Sequence, residues 1–350
     1  MSSTGPKTLP ERPAILIILM GALGDVVRGL SVVDAIKSFR PGSRITWLVE
    51  PACAGIVRLH PLIDRVVVFN RKEWRKGFLS AFREIRSEKY DITLDMQRHS
   101  KSGLFSWVSR SPRRTGFHRR DSKEGNWLFN TEYVPYQGDD IPKAQHYLTF
   151  LDRVGIPRLV QHRSALQQIT IGTLEPSYRE MLPSQYVALV LGSSWESKDW
   201  PEEGYRQLIS RLLELPTISV ALLGDKTKAA MGERLALEAN SARVVNLAGK
   251  TDLNSLVGVL NDASVVVGPD SGPGHISGSV GTPHITLFGP TPVKRNAPTG
   301  SEELTLSSNV GCAPCRRRVC PGLGGVCMKL ITADAVMEKV RGVLGSGAGV

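Results

Sequence analysis

The 350-residue sequence lacks any apolar run long enough to cross a membrane. Its best candidate, residues 14–23, is far shorter than the ~20 apolar residues that a membrane-spanning helix needs. This run leads into Gly24-Asp25 and not into a small-residue cleavage site, so we interpret it as a buried strand and not as a signal peptide. We therefore expect a folded protein in the cytoplasm.

Cysteine is scarce, and most of it lies in one place. Four of the five cysteines fall within one short segment, at Cys312, Cys315, Cys320 and Cys327. Such clustering favours a local metal site or a local redox pair over the disulfide framework of small secreted proteins. The four thiolates could hold a structural zinc ion, although the last spacings are not those of a standard zinc ribbon. An iron–sulfur cluster and reduced or disulfide-paired cysteines are the alternatives.

Acidic residues are fewer than basic ones, 33 against 44, and the formal net charge is +11. Most of this excess lies in residues 71–120, which hold 14 basic and 5 acidic side chains. A positive region of this kind points to a polyanionic partner, which can be nucleic acid, an anionic membrane or a phosphorylated substrate. The basic side chains of residues 71–76 lie close to Trp74 and Phe78, which suits anionic lipid headgroups. A solvated helix face is the alternative.

The alternation of apolar runs predicts two β/α domains. Strand-like runs alternate with helix-like segments from residue 14 onwards, and the alternation restarts at Tyr186. The stretch between the two carries no strong period, and the chain is long enough for two domains. We therefore predict an α/β protein with domains over residues 13–160 and 183–344 and a linker over residues 161–182.

Two loops after predicted strands carry polar side chains, and ligands of doubly wound sheets bind beyond the carboxyl ends of the strands. In GALGDVVRG, Asp25 stands at the start of a helix, where an ordinary N-cap is the alternative interpretation. In LGSSWESKDWP, Ser193 and Ser194 can donate to phosphate oxygens, and Lys198 can neutralise a diphosphate. A solvated loop lysine is the alternative in the second case.

A third loop, VVVGPDSGPGHISG, is the most informative stretch of the chain. Ser271 and Gly272 open a helix directly after a buried strand, where backbone N–H groups can cradle a phosphate. Asp270 suits sugar hydroxyls better than phosphate, so the loop favours a ligand that has both parts. His275 could donate to the phosphate, with a capping or packing histidine as the alternative.

These segments together resemble glycosyltransferase family 9, the ADP-heptose:lipopolysaccharide heptosyltransferases. The similar motifs are MGALGDVVRGL, DMQRHSKSGLF, PRRTGF, GSSWESKDWP, PDSGPGHISGSVGTPHITLFGPT and the closing CP…CMKLITADAV, which span nearly the whole chain. The resemblance implies a GT-B fold, with two Rossmann-like domains facing across a cleft. It also implies inverting transfer of heptose, from ADP-heptose to the inner core of lipopolysaccharide, without a catalytic metal or other cofactor.

The resemblance also implies roles for particular residues. Asp25 and Lys198 would be catalytic, Asp25 as the general base and Lys198 as the counter-charge of the diphosphate. In the N-terminal domain, the acceptor sugar would meet Arg98, Lys101 and Ser102. In the C-terminal domain, the residues that would bind the nucleotide-sugar are Ser193, Ser194, Lys198, Asp270, Ser271, Gly272 and His275.

The chain departs from the family pattern after the predicted strand that ends at Leu223. Lys226 and Lys228 stand near where relatives often carry an acidic group for the nucleotide ribose. The alternative within the family is therefore another nucleotide-sugar in a different surface-glycan pathway. The alternative outside it is a basic nucleic-acid binder with a zinc site, which does not explain two ligand-type loops at strand ends of one domain.

The partners that we expect follow from the leading interpretation. They are a nucleotide-sugar donor and an anionic glycolipid acceptor at the cytoplasmic face of the inner membrane, which the protein would contact peripherally. We expect no nucleic-acid partner, and we expect a monomer.

Overall fold

The computed structural model describes residues 9–158 and 176–346. Its contacts divide the chain into two compact units, a first unit over residues 1–169 and a second unit over residues 170–350. The linker predicted over residues 161–182 lies mostly outside the described residues, and its last part contains the helix Pro176–Met181.

Each unit is built on a parallel six-stranded sheet. The strands of the first unit are β1 (Ala14–Ile18), β2 (Arg44–Val49), β3 (Arg65–Val68), β4 (Ile92–Asp95), β5 (Arg113–Gly116) and β6 (Glu132–Tyr133). The strands of the second unit are β7 (Tyr186–Val190), β8 (Ser219–Leu223), β9 (Val244–Asn246), β10 (Val265–Pro269), β11 (His284–Phe288) and β12 (Thr305–Ser307).

Helices connect these strands, as parallel pairing requires. The first unit has α1 (Leu23–Phe39), α2 (Pro51–Leu59), α3 (Trp74–Arg86), α4 (Ser100–Val108), α5 (Lys143–Leu148) and α6 (Leu151–Val154). The second unit has α7 (Pro176–Met181), α8 (Glu202–Leu213), α9 (Ala229–Ala239), α10 (Leu253–Asp262), α11 (Gly272–Val280), α12 (Val293–Asn296), α13 (Val326–Lys329) and α14 (Ala333–Ser346). No helix within the described ranges combines the length and the hydropathy that crossing a bilayer requires.

The two sheets have the same strand order. The first runs β3-β2-β1-β4-β5-β6, and the second, followed from its opposite edge, runs β9-β8-β7-β10-β11-β12. In each sheet the winding reverses between the first strand and the fourth, which is the Rossmann-like arrangement, and ligands bind beyond the strand ends at that reversal point. The predicted fold class, two Rossmann-like α/β domains, is confirmed.

The strands beside each reversal point are buried on both faces. Every residue of β1, β7 and β10 is buried, which is why these segments appear in the sequence as continuous apolar runs. Burying a side chain such as Ile18 contributes ~1.5–3 kcal/mol, so these strands anchor the loops that follow them. At the C-terminal end, Thr332 Oγ1 accepts a hydrogen bond from the Ala335 N–H at 3.2 Å, so Thr332 is the N-cap of α14.

Candidate active site

Two loops of the first unit meet at the reversal point of its sheet, one after β1 and one after β4. Gln97 joins them, because its Oε1 accepts from the Met20 N–H at 2.9 Å and its amide donates to the Gly21 carbonyl oxygen at 3.2 Å. The loop that leads into α1, and thus to Asp25, is therefore held beside the loop that carries Arg98.

Asp25 lies in the first turn of α1, between two cations. The N-cap position of α1 is Ala22, so the interpretation of Asp25 as an ordinary N-cap is wrong. Lys143 Nζ lies 2.6 Å from Asp25 Oδ1, and the Arg28 guanidinium lies 3.1 Å from the same oxygen. The Asp25 side chain is 19% exposed. It is therefore a carboxylate held by positive charges and open on one side.

Helix α5 brings more polar side chains to the surroundings of Asp25. Burial and the charge of Asp25 raise the pKa of Tyr147 well above its ordinary value, so this phenol stays neutral. The Arg98 guanidinium lies 4.8 Å from the centre of the Phe117 ring and 3.2 Å from His146 Nδ1. Positive charge concentrated in this way suits an anionic ligand.

The other two predicted acceptor residues differ in exposure. Lys101 is exposed, and its ammonium lies 5.8 Å from the centre of the Trp74 ring. Ser102 is fully buried, and its hydroxyl donates to the His99 carbonyl and accepts from Asn126 Nδ2 at 3.0 Å. The Ser102 side chain therefore holds the start of α4 to His99 and Asn126 and is not itself on the surface.

Sequence reasoning missed Asp95, which ends β4 beneath the same loop. Asn126 Nδ2 donates to its carboxylate at 2.6 Å, and Asn130 Nδ2 donates at 3.3 Å. Burial raises the pKa of Asp95 to about 7, although the hydrogen bonds favour its charged form. The motif DMQRHSKSGLF contains Asp95, but its spacing gives no sign of partners more than thirty positions away.

In the second unit an ion pair joins the loops after β7 and β10. Lys198 Nζ lies 2.9 Å from Asp270 Oδ2 and also donates to the Asp270 carbonyl oxygen at 3.2 Å. Thr291, which follows β11, donates to the same carboxylate oxygen at 2.8 Å, and His275 Nε2 lies 3.7 Å from Asp270 Oδ1. Loops from three strand ends therefore converge on Asp270.

The environment of Asp270 keeps it charged. Burial raises its pKa, but the neighbouring His275 and the charge of Lys198 outweigh burial and hold the pKa well below its usual range. A carboxylate offers about four acceptor positions, so a sugar hydroxyl can be accepted beside these partners.

Helix α11 begins next to this ion pair with an anion-type site. Ser271 is the N-cap residue but makes no side-chain cap bond, and its hydroxyl is buried without a hydrogen-bond partner in the described part of the chain. The helix starts at Gly272, and the first N–H groups of a helix have no partner within it. The Ser271 hydroxyl, which has no partner among the described residues, and these N–H groups together form a cradle for an anion.

The loop after β7 is shaped by Asp199, which sequence reasoning also missed. The Ser193 N–H donates to Asp199 Oδ1 at 2.8 Å, and Lys228 pairs with the other carboxylate oxygen. The Ser193 hydroxyl is used within the loop, since it donates to the Trp195 carbonyl at 3.0 Å, whereas Ser194 is exposed. Lys228, noted above as a departure from the family, therefore serves this loop.

The four clustered cysteines, as arranged here, do not form a set of metal ligands. Across residues 9–158 and 176–346, no three His, Cys, Asp or Glu side chains are grouped so as to hold a metal ion. Cys312 is exposed and Cys327 is buried. Burial raises the pKa of Cys327, and the thiols of Cys312, Cys315 and Cys320 are near enough to add to this effect. The structural zinc stays a prediction from spacing.

Two Rossmann-like units, one with a carboxylate among cations and the other with an anion cradle beside a lysine, fit the GT-B class of glycosyltransferases. The comparison with known families agrees with this class. Residues 78–324 match the family described as glycosyltransferase family 9 (heptosyltransferase). The chain belongs to that family, and it is a glycosyltransferase.

Individual relatives are similar over most of their length. Lipopolysaccharide core heptosyltransferase OpsX of Haemophilus influenzae is 27% identical over 309 residues, which are 85% of each chain. Heptosyltransferase WaaC of Escherichia coli, solved with ADP, is 23% identical with a TM-score of 0.76 and covers 94% of this chain and 99% of that chain. A family 9 glycosyl transferase from Veillonella parvula is 19% identical with a TM-score of 0.81, covering 98% and 100%. The predicted GT-B fold is confirmed.

Proposed function

We propose that this protein transfers heptose from ADP-heptose to the inner core of lipopolysaccharide, with inversion at the anomeric carbon. The observation that carries the proposal is the group formed by Lys198, Asp270 and the start of α11. It combines a cation and an anion cradle, which suit a diphosphate, with a carboxylate that can accept from sugar hydroxyls. The OpsX relative, a lipopolysaccharide core heptosyltransferase, supports the choice of sugar and acceptor.

The second unit acts on the donor in this proposal. As the acceptor oxygen bonds to the anomeric carbon, the bond from that carbon to the diphosphate breaks. Lys198 and the N–H groups of Ser271 and Gly272 stabilise the charge that develops on the leaving diphosphate, while Ser194 and His275 donate hydrogen bonds to its oxygens. The step uses no catalytic cofactor.

The first unit acts on the acceptor. Asp25 takes the proton of the attacking hydroxyl as general base, and Lys143 and Arg28 hold its carboxylate in one orientation. Arg98 and Lys101 supply positive charge for an acceptor that is a phosphorylated, Kdo-bearing glycolipid. Ser102 contributes indirectly, because its hydrogen bonds to His99 and Asn126 hold the start of α4, which lies between Arg98 and Lys101, in position.

We further propose that the start of α3 rests on the anionic cytoplasmic face of the inner membrane. Trp74 is 42% exposed and Leu79 is 51% exposed, and the basic side chains of residues 71–76 are exposed around them. Each basic residue near such a surface is worth ~1 kcal/mol, and exposed aromatic and aliphatic side chains add apolar contact. A solvated helix face is the competing interpretation.

A second candidate keeps the family and changes the donor. Lys226 is exposed at the end of β8, and Lys228 is engaged with Asp199, so basic side chains occupy the segment where an acidic ribose partner is expected. This observation favours a nucleotide-sugar other than ADP-heptose, used in a different surface-glycan pathway.

A panel of donors separates the two candidates. Thermal unfolding of the purified protein is measured with ADP-, UDP- and GDP-sugars, because a ligand that binds the native state raises the apparent melting temperature. We expect the largest rise with ADP-heptose, and transfer of heptose to a Kdo-bearing glycolipid by mass spectrometry. A larger rise and transfer with a UDP- or GDP-sugar would instead favour the second candidate.

A further inference from the structure

The cysteine-rich loop, residues 312–327, holds three consecutive arginines, residues 316–318, beside the candidate donor site. The Ser197 N–H donates to the Arg318 carbonyl oxygen at 3.1 Å, and the Ser197 hydroxyl donates to the Arg317 carbonyl oxygen. The Arg316 N–H donates at 2.7 Å to the carbonyl oxygen of Pro290, next to Thr291. The loop is thus attached to two of the three loops that converge on Asp270.

Arg318 and Lys198 share one aromatic ring. The Arg318 guanidinium carbon lies 5.6 Å from the centre of the Trp195 ring, and Lys198 Nζ lies 4.6 Å from the same centre. Each cation is attracted by the ring, so Trp195 keeps both side chains beside the same loop. An anion within reach of both would be attracted by both charges.

The charge balance of the second unit leaves a diphosphate short of positive partners. Lys198 is already matched by Asp270, so the pair is neutral as a whole. The start of a helix supplies only about half an elementary charge. Arg318 is exposed, and within the described residues its guanidinium has no carboxylate partner at ion-pair distance. Its full charge is available to a ligand.

We propose that Arg318 is a second cation for the diphosphate of the donor, held beside Lys198 by the Trp195 ring and the cysteine-rich loop. The inference rests on the proposed function, since it names a further residue of the same donor site. A guanidinium suits this task because its planar donors bind phosphate oxygens in pairs. The cysteine-rich loop thereby gains a part in donor binding.

The test compares two neighbouring arginines. The affinities of the full-length protein for ADP and for AMP are measured by calorimetry for the wild type, Arg318→Ala, Arg318→Lys and Arg317→Ala. Both alanine variants remove one positive charge from the same exposed stretch, but of these two arginines only Arg318 contacts Trp195 among the contacts that the structure describes. We expect Arg318→Ala to weaken ADP binding about tenfold or more, as loss of a charge-assisted bond does, and to weaken AMP binding much less.

The controls are expected to separate binding from folding. Arg317→Ala is expected to change ADP affinity less than about twofold, Arg318→Lys to fall between the wild type and Arg318→Ala, and all melting temperatures to stay close to that of the wild type, as for exposed positions. Equal loss of ADP and AMP affinity in Arg318→Ala, or equal behaviour of the two alanine variants, would overturn the role of Arg318. If neither ADP, UDP nor GDP binds the wild type, the proposed donor site is wrong, and the inference falls with it.

Discussion

The two units share one topology, but the central side chain at the reversal point of the sheet is negatively charged in the first unit and positively charged in the second. In the first unit a partly exposed carboxylate, Asp25, is held by Lys143 and Arg28. In the second unit a lysine, Lys198, is held by the buried carboxylate of Asp270. Because strand order alone brings loops together at the sheet edge, the side chains on those loops decide which reactant each unit suits.

Removing the charge of Asp25 alone should separate the roles of the two units most clearly. We expect Asp25→Asn to lower the rate of transfer by ~10²–10⁴-fold, because an amide cannot take the proton of the acceptor. Donor affinity, which we assign to the second unit, should be nearly unchanged. Both quantities are measured by steady-state transfer assays and by calorimetry with the donor nucleotide.

Asp140→Asn is the matched control for Asp25→Asn. It makes the same chemical change at an exposed position of the first unit, so its turnover should stay near that of the wild type. If Asp25→Asn kept more than about a tenth of wild-type turnover, Asp25 would not be the general base.

The second unit should respond differently to loss of its central charge. We expect Lys198→Ala to weaken donor binding and slow transfer together, each by ~10-fold or more, because the lysine meets the diphosphate both before and during the reaction. Lys329→Ala removes an exposed lysine from the same unit as a control. Unchanged donor affinity in Lys198→Ala would identify Lys198 as a loop residue without a part in the donor site.

Much of the fold could be predicted because parallel strands with both faces covered are apolar throughout. The apolar run Tyr186–Leu191 predicts a strand that is observed over Tyr186–Val190, and the run Ile285–Phe288 predicts one that is observed over His284–Phe288. Helix ends are harder to predict: the helical period starts at Val26, whereas α1 begins at Leu23, because no capping residue marks its start.

The site could be predicted only as far as each loop carries its own signal. Asp25, Lys198 and Asp270 stand out next to glycines and strand ends in the sequence. Their partners do not, since Lys143 lies 118 positions from Asp25. The burial of Ser102 likewise depends on Asn126, which the fold brings under the loop. Contacts of this kind belong to the tertiary structure and leave no local pattern.

Buried titratable groups offer a second contrast between the units. Asp95 has a pKa raised from 3.8 to about 7 by burial, so the folded protein holds a proton that the unfolded chain releases between these values. The contribution of Asp95 to the free energy of unfolding therefore falls as pH rises from 3.8 to about 7. Burial lowers the pKa of His284 from 6.5 to about 3, with the nearby His275 adding to the effect and Asp270 opposing it. The contribution of His284 to the free energy of unfolding therefore falls as pH drops below 6.5.

We therefore expect Asp95→Asn and His284→Gln to change the pH dependence of stability in opposite directions. Relative to the wild type, Asp95→Asn should gain stability on going from pH 5 to pH 7.5, and His284→Gln should gain on going from pH 6.5 to pH 4.5, each by on the order of a few kcal/mol at most. Urea unfolding of the full-length protein across this range measures both. Curves parallel to that of the wild type would contradict the assignment, and Asp140→Asn again serves as the control.

The smallest effect on the rate of transfer is expected from changes to the cysteines of the cysteine-rich loop. Its spacing predicts a closed four-thiolate zinc site, which has no open position for a substrate, whereas the side chains as arranged here form no ligand set. If the spacing is right, tag-free protein should contain about one zinc per chain, and Cys315→Ser should lose the metal and melt several degrees lower while the rate with saturating donor stays within about twofold. Elemental analysis that finds neither zinc nor iron would overturn the metal site and leave Cys327 as a packing residue in the core of the second unit. Loss of metal with unchanged melting would mean that the loop is held by its hydrogen bonds to Ser197 and Pro290 alone.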